Sequence, residues 1–205
     1  MTANELCGLY VSRETLERLQ GYAALLQKWN AKINLVAAST LPDFWDRHIV
    51  DSAQLYAHAP ESALNWVDLG SGGGLPGLVC AILSKELTPD RTFTLIESDA
   101  RKAAFLTTAI REFGLNARVL TSRVEATDPQ SADVVSARAL ASLPQLLPLV
   151  ARHLAKNGVA LLPKGRNFNE ELAAAQREWQ FESAIFDSQT DPLAKLLILK
   201  DLKRV

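Results

Sequence analysis

Apolar positions recur three or four residues apart at Leu16, Leu19, Ala23, Leu26 and Trp29, which is the period of an amphipathic helix. Ser12 precedes them as a good N-cap, so a helix is predicted from Ser12 to about residue 31. Ile33 to Val36 then reads as a short extended or turn piece. Thr40, followed by Pro42 and Asp43, opens a second helix that carries Trp45, Ile49, Ala53 and Tyr56 and ends before Pro60. Residues 1–11 carry little pattern. Residues 1–60 are therefore expected to form a small helical cap, packed as one unit with a second domain over residues 61–205.

Beyond Pro60 the period changes. Strands are predicted at Leu64 to Leu69, Thr92 to Glu97, Ala117 to Leu120, Asp133 to Ser136 and Val159 to Leu162, the last entered through an Asn157-Gly158 turn. Helices fall between them: Gly77 to Leu87, one capped by Asp99 and stopped at Gly114, one opened by Ser142 and Pro144, and one from Asn169 to about Trp179. Phe181 to Phe186 and Leu196 to Leu199 are two last strands with no helix between them. Strands alternating with helices imply an α/β, Rossmann-like, doubly wound sheet. Here it has seven strands, mostly parallel, with an antiparallel strand at one edge.

The first strand of that series runs into Asp68-Leu69-Gly70-Ser71-Gly72-Gly73-Gly74-Leu75-Pro76-Gly77. Glycines let a ligand lie against the backbone, and the helix that follows points free N–H groups at the turn. Two motifs overlap in it. Gly72-x-Gly74-x-x-Gly77, with Glu97 twenty positions on, fits a dinucleotide fingerprint. Asp68-x-Gly70-x-Gly72-x-Gly74 fits the acidic turn of S-adenosylmethionine-dependent methyltransferases. An acid at the strand end suits a cationic ligand and repels a pyrophosphate, so Asp68 favours the methyl donor. Seven strands with a closing hairpin is also the class I methyltransferase variant of the Rossmann plan. A dehydrogenase would need a substrate domain for which 205 residues leave little room.

Ligands in open α/β sheets sit at the carboxyl ends of the strands, which makes the strand ends the candidates. Asp68, Gly70, Ser71, Gly72, Gly74 and Leu75 end the first strand. Glu97 ends the second and is placed to accept ribose hydroxyls. Arg123, Val124 and Glu125 follow the third, where a backbone N–H and a carboxylate could read an adenine edge. Arg138 follows the fourth, and Pro163, Lys164 and Gly165 the fifth. His48 and Asp51 share a helix face at i, i+3. They are either an acid/base couple or a satisfied polar pair of structural origin.

Charge and absences narrow the chemistry. The net charge is −1, so nucleic-acid contact has to come from a local patch. Arg47, Arg123, Arg138, Lys164 and Arg166 are the basic candidates near strand ends or in the cap. Two cysteines, Cys7 and Cys80, make neither a disulfide framework nor a zinc spacing, and three histidines do not cluster. No metal site is expected. No long apolar span and no cationic leader is found, so a soluble, cytoplasmic protein is expected, with no membrane contact. No Pro-Pro dipeptide supports the motif used on exocyclic amines, and no cysteine stands at the end of the fourth or fifth strand. A target nitrogen with a free lone pair, such as guanine N7, needs no base: positioning and desolvation suffice.

With these residues assembled, the chain resembles the bacterial small-subunit rRNA guanine-N7 methyltransferase family, RsmG (GidB). The resemblance covers about residues 16–166. It rests on Lys28-Trp29-Asn30, Asn34-Leu35, Arg47-His48-Ile49-Val50-Asp51-Ser52 and the turn from Asp68 to Gly77. Lys102 to Leu106, Ser122-Arg123-Val124-Glu125, Ser136-Ala137-Arg138-Ala139 and Lys164-Gly165 extend it. It implies donor contacts at Gly70, Leu75, Val124, Glu125 and Arg138. It implies a flipped guanine held near Asn34, Arg47, His48, Asp51 and Ser52. The implied substrate is guanine 527 (family nucleotide numbering) in the decoding-region loop of 16S rRNA, on the small ribosomal subunit. Val36, Arg101 and the pair Lys195-Leu196 depart from the residues usual in that family.

Three functions follow as expectations. The first is an S-adenosylmethionine-dependent rRNA methyltransferase, working as a monomer, with Arg138, His48 and Asp51 as the candidates for any catalytic role. The second is an NAD-dependent oxidoreductase. The third is a non-catalytic RNA-binding module that keeps the fold.

Overall fold

The computed structural model describes residues 4–205, and residues 1–3 of the expected cap lie outside it. The stretch without pattern at the start forms a hairpin of β1 (Asn4–Leu6) and β2 (Leu9–Val11). Its two-residue turn, Cys7 and Gly8, has φ of 55° and 78°, the paired positive values of a tight hairpin. Helix α1 (Arg13–Asn30) follows as expected, with Thr15 N donating to the Ser12 hydroxyl at 3.3 Å.

The second predicted helix is built differently. A 3-10 turn (Ala38–Thr40) is followed by a π-helical turn (Trp45–Val50), which leads without a break into α2 (Asp51–Ala57). The wider turn carries Asp51 N back to the Asp46 carbonyl, five residues away. The helical period of the sequence is real, but over Trp45–Val50 it is not the α period, and π turns of this kind concentrate at functional sites.

The rest of the chain makes the expected α/β layers: β3 (Asn65–Leu69), α3 (Gly77–Leu87), β4 (Thr92–Ile96), α4 (Ala100–Phe113), β5 (Ala117–Leu120), β6 (Ala132–Ala137), α5 (Leu143–His153), β7 (Leu154–Lys164), α6 (Phe168–Ala175), β8 (Trp179–Asp187) and β9 (Lys195–Arg204). Asp99 caps α4 through Arg101 N and Lys102 N, and Gly114 ends it at φ 59°. The sheet order is β5-β4-β3-β6-β7-β9-β8. Neighbours from β5 to β7 are parallel, and β9 runs antiparallel between β7 and β8, closing the hairpin at that edge. Several boundaries differ from the sequence reading: β9 runs on past Leu199 to Arg204, and β7 extends through Lys164, so that Pro163 and Lys164 lie within the strand. Strand β7 begins at Leu154, with Asn157 and Gly158 inside it as a bulge against β6. A Cβ at Gly158 would lie 2.7 Å from the Ala132 carbonyl, so only glycine lets the two strands close there. Helix α6 stops at Ala175, and β8 takes over from Trp179.

Alternate residues of the strands feed two cores. Trp66, Phe93 and Leu95 pack on one face with Tyr22 and Leu26 of α1, Leu55 of α2, Leu78 of α3 and Phe105 of α4. Val67, Leu69 and Ile96 pack on the other with Leu147 of α5 and Trp179 of β8. Helices α1 and α2 are thus built into the larger core. The Tyr22 hydroxyl, buried at the centre of α1, donates to the Gly73 carbonyl at 2.5 Å, so α1 reaches the glycine turn directly.

Candidate active site

Asp68 lies on the sheet face turned to α3 and is 1% exposed. Its Oδ1 accepts from the Ser136 hydroxyl at 2.7 Å, and its Oδ2 accepts from Gly77 N at 3.3 Å. Ser136 is in turn held by the Trp66 indole N–H at 2.8 Å. Burial pushes the Asp68 carboxyl up to about 6, against the pull of the Ser136 and Gly77 hydrogen bonds. The expected acid at the strand end is therefore an internal support. It binds the N-terminus of α3 and shapes the turn, and it presents no oxygen to a ligand.

The turn itself is left-handed at Gly70, Gly72 and Gly74, with φ of 63°, 55° and 83°. Glu97 crosslinks it to β4: its Oε2 accepts from Gly72 N and its Oε1 from Asp99 N, both at 2.8 Å. Each of its oxygens keeps a second lone pair. Nothing comes nearer than 3.8 Å to a Cβ built on Gly72. Open space above a bare backbone, beside a carboxylate with accepting capacity left, fits a nucleoside lying along the turn.

Arg138 meets His48 and Asp51 at one point, across 90 and 87 positions of sequence. Arg138 Nη1 donates to Asp51 Oδ2 at 3.0 Å and to the Arg47 carbonyl at 3.1 Å, and its Nη2 lies 3.0 Å from His48 Nδ1. His48 Nε2 is 2.8 Å from the Thr40 hydroxyl. Burial, then the nearby Arg138 and Arg47, lowers the His48 pKa to about 4, so the ring is neutral. The other Asp51 oxygen accepts from Gln54 Nε2 at 2.8 Å and from the Thr190 hydroxyl at 3.2 Å. Thr190 belongs to the β8–β9 loop, which Gln54 also fastens through Gln189 N at 3.1 Å. These residues form one wall of a cavity of about 560 Å³. Leu35, Val36, Ala139, Ala141, Pro163 and Asp191 are among the residues that line the rest.

The other candidates separate. Arg47, Arg123, Arg166, Asn34 and Glu125 are exposed, and Arg47 borders the cavity. Leu75 and Val124 are buried. Ser52 is fully buried and outside the cavity lining, and its hydroxyl has no partner among the described residues. Lys164 reaches the cavity wall, but its ammonium is spent on the Ala141 carbonyl and Glu171, both at 3.0 Å. Four residues missed in the sequence matter to this geometry. Thr40 and Thr190 complete the polar cluster, Glu171 neutralises Lys164, and Asn30 accepts from Leu35 N and Val36 N at 2.8 and 3.0 Å to hold the cavity's lip. Among the described residues no trio of His, Cys, Asp or Glu could hold a metal, and no helix is long and apolar enough to cross a membrane.

Residues 15–194 match the sequence model of GidB, described as rRNA small subunit methyltransferase G. The chain belongs to the rRNA small subunit methyltransferase G family. It is 50% identical over 205 residues to the Ribosomal RNA small subunit methyltransferase G of Cereibacter sphaeroides, covering 100% of both chains. It is 53% identical over 192 residues to that of Rhodospirillum centenum, covering 94% of this chain and 87% of the relative. Among solved structures it is similar to a methyltransferase from Geobacter sulfurreducens, with a TM-score of 0.61 at 15% identity over 97% and 99% of the two chains. It is also similar to the T. Thermophilus 16S rRNA N2 G1207 methyltransferase in complex with AdoMet and guanosine. There the TM-score is 0.54 at 14% identity, over 75% of this chain and 39% of the other. These structural likenesses show the class I methyltransferase fold. For a member of the rRNA small subunit methyltransferase G family the cofactor is S-adenosylmethionine.

Proposed function

We propose that the chain methylates N7 of a guanine in the decoding-region loop of 16S rRNA, acting on the small ribosomal subunit in the cytoplasm. One observation carries the reading. In the polar cluster, the two side chains that could form an acid/base couple are tied to their neighbours: His48 Nδ1 is occupied by Arg138, and Asp51 accepts from Arg138, Gln54 and Thr190. N7 of guanine carries an in-plane lone pair and no proton, so its methylation leaves no proton to remove. An exocyclic amine would have to lose one.

Gly70, Gly72, Leu75, Glu97, Val124, Glu125 and Arg138 would hold S-adenosylmethionine, which supplies an electrophilic methyl group when bound. The remaining work is done by position. Leu35, Val36, Ala139, Ala141 and Pro163 line the cavity with apolar surface on which a flipped base can lie out of water. Arg138, fixed by three acceptors, sets that cavity against the glycine turn. The exposed Arg47, Arg123 and Arg166 are placed to meet phosphates, which orient the RNA without reading its sequence.

The test is labelled methyl transfer to small ribosomal subunits that lack the modification, followed by identification of the product nucleoside. The expected product is 7-methylguanosine. A label recovered on an exocyclic amine, or no transfer to subunits or free 16S rRNA, overturns the proposal.

A further inference from the structure

The turn that follows β5 (Val124–Ala126) closes mainly on itself. Ala126 N and Thr127 N both donate to the Arg123 carbonyl at 3.1 Å, and the Thr127 hydroxyl donates to the same oxygen at 2.9 Å. Those bonds shape the turn but do not say where it sits against the sheet. Among the described residues, two hydrogen bonds do, and both come from the last turn of α5. Arg152 Nε donates to the Thr127 carbonyl, and His153 Nε2 pairs with the Val124 carbonyl, each at 3.0 Å.

His153 is 0% exposed. A carbonyl oxygen only accepts, so Nε2 carries the ring proton and Nδ1 does not. Nδ1 is buried with no partner among the described residues, which is an unfavourable place for a polar atom. An apolar side chain would pack here without that cost. What it could not do is hold the Val124 carbonyl.

We propose that His153 is a positioning residue for the methyl donor: by anchoring the Val124 carbonyl it fixes the turn whose backbone and Glu125 meet the adenine end. The proposal rests on the donor contacts at Val124 and Glu125 given above. It assigns a role to a residue that is fully buried and outside the cavity lining, one that acts through the turn alone.

The experiment is calorimetric binding of S-adenosylhomocysteine and of 5′-deoxy-5′-methylthioadenosine, which carries only the adenine half. Wild type is compared with His153→Leu, His153→Gln and Arg152→Met, with melting temperatures recorded alongside. Losing one hydrogen bond's worth of positioning should weaken both ligands by about tenfold in His153→Leu. His153→Gln, whose side-chain N–H can still reach the carbonyl, should stay within about twofold of wild type, and Arg152→Met should fall between. Methyl transfer should show the loss in KM for the donor, with kcat nearly unchanged. Wild-type affinity in His153→Leu, or an equal loss in His153→Gln, overturns the proposal. If His153→Leu does not fold, unchanged affinity in Arg152→Met overturns it instead. Failure of wild type to bind either ligand would overturn the donor-site reading itself.

Discussion

Arg138 fixes the tautomer of His48. Arg138 Nη2 stands 3.0 Å from His48 Nδ1, and a guanidinium has only donors. Nδ1 must therefore accept, which puts the ring proton on Nε2, facing the Thr40 hydroxyl at 2.8 Å. That hydroxyl is left to donate its own proton to the Ala37 carbonyl at 2.7 Å. A residue at the end of β6 thus orders a run of hydrogen bonds that ends in the loop ahead of the π turn, and so joins the helical N-terminal region to the sheet at the site.

This arrangement predicts that His48 is not the base of the reaction. Its pKa is held near 4 by burial and by Arg138 and Arg47. Methylation should show no inflection from it between about pH 6 and 8. Stability should respond instead. The unfolded chain protonates His48 near 6.5 and the folded one only near 4. Between those values the unfolded state binds more protons, and stability falls as pH drops through the window. Urea unfolding at about pH 7.5 and about pH 5 should show a larger loss for wild type than for His48→Gln. Equal losses would count against the assignment.

Arg138 should be the most damaging basic residue to replace. Its three acceptors are reached by a planar fork that a lysine ammonium cannot reproduce. The donor contact proposed for Arg138 is a charge-assisted hydrogen bond, and its loss in Arg138→Ala, about 3 kcal/mol, predicts a drop of about a hundredfold in kcat/KM. Arg138→Lys should recover no more than about tenfold of it. The fold should suffer as well, because the pair with Asp51 keeps only 18% and 16% side-chain exposure and Arg138→Ala leaves the Asp51 charge without its cation. Steady-state kinetics with both substrates varied, beside melting curves, separates the two effects. Near-normal turnover in Arg138→Ala would refute the central place given to this residue.

Much of the site was legible because it is local. The glycine turn, the Asp99 cap, the Gly114 stop and the strand ends are all written in neighbouring residues. The segment from Arg47 to Ser52 was legible in part: the i, i+3 spacing put His48 and Asp51 on one face, and the resemblance took Arg47 and Ser52 with them as a block. The π turn sends Arg47 to the surface, His48 and Asp51 to the cavity and Ser52 into the core. Thr190 meets Asp51 across 139 positions, so nothing in either stretch points to the other. Asp68 was found by its place in the turn, but its direction was not. Only packing shows that the α3 N-terminus and Ser136 take both its oxygens.

Lys164 and the exposed arginines should behave oppositely towards RNA. The Lys164 ammonium is held by Glu171 and the Ala141 carbonyl, with 8% of its side chain exposed. Lys164→Met should lower the melting temperature and leave the salt dependence of RNA binding unchanged. Arg47→Ala and Arg166→Ala should each reduce the slope of log affinity against log salt by about one contact's worth. Filter binding to small subunits across a salt series reads both. A slope change in Lys164→Met would show that this lysine leaves Glu171 for phosphate.

The sharpest contrast lies within the glycine turn. A Cβ on Gly77 would lie 2.5 Å from Leu95 Cδ2 and 2.7 Å from Asp68 Oδ2. Leu95 can swing its end away. Asp68 cannot, since Ser136 holds one oxygen and the Gly77 N–H itself holds the other. Gly77→Ala should therefore cost about 2–4 kcal/mol, the sum of overpacking and a weakened buried hydrogen bond. Gly72 is different: its φ is 55°, yet a Cβ there meets only the Gly70 carbonyl at 3.8 Å. Gly72→Ala should cost about 1–2 kcal/mol of left-handed strain. Its methyl group would stand in the open space assigned to the donor, so S-adenosylmethionine binding should fall further than stability does. Gly165→Ala, with no atom within 4 Å of a Cβ, is the control and should stay within about 0.5 kcal/mol of wild type. Urea unfolding and donor titration on the three variants test the order. If Gly77→Ala is as stable as Gly165→Ala, Asp68 is not the rigid support of the turn described above. If Gly72→Ala binds the donor normally, the donor does not lie along that backbone.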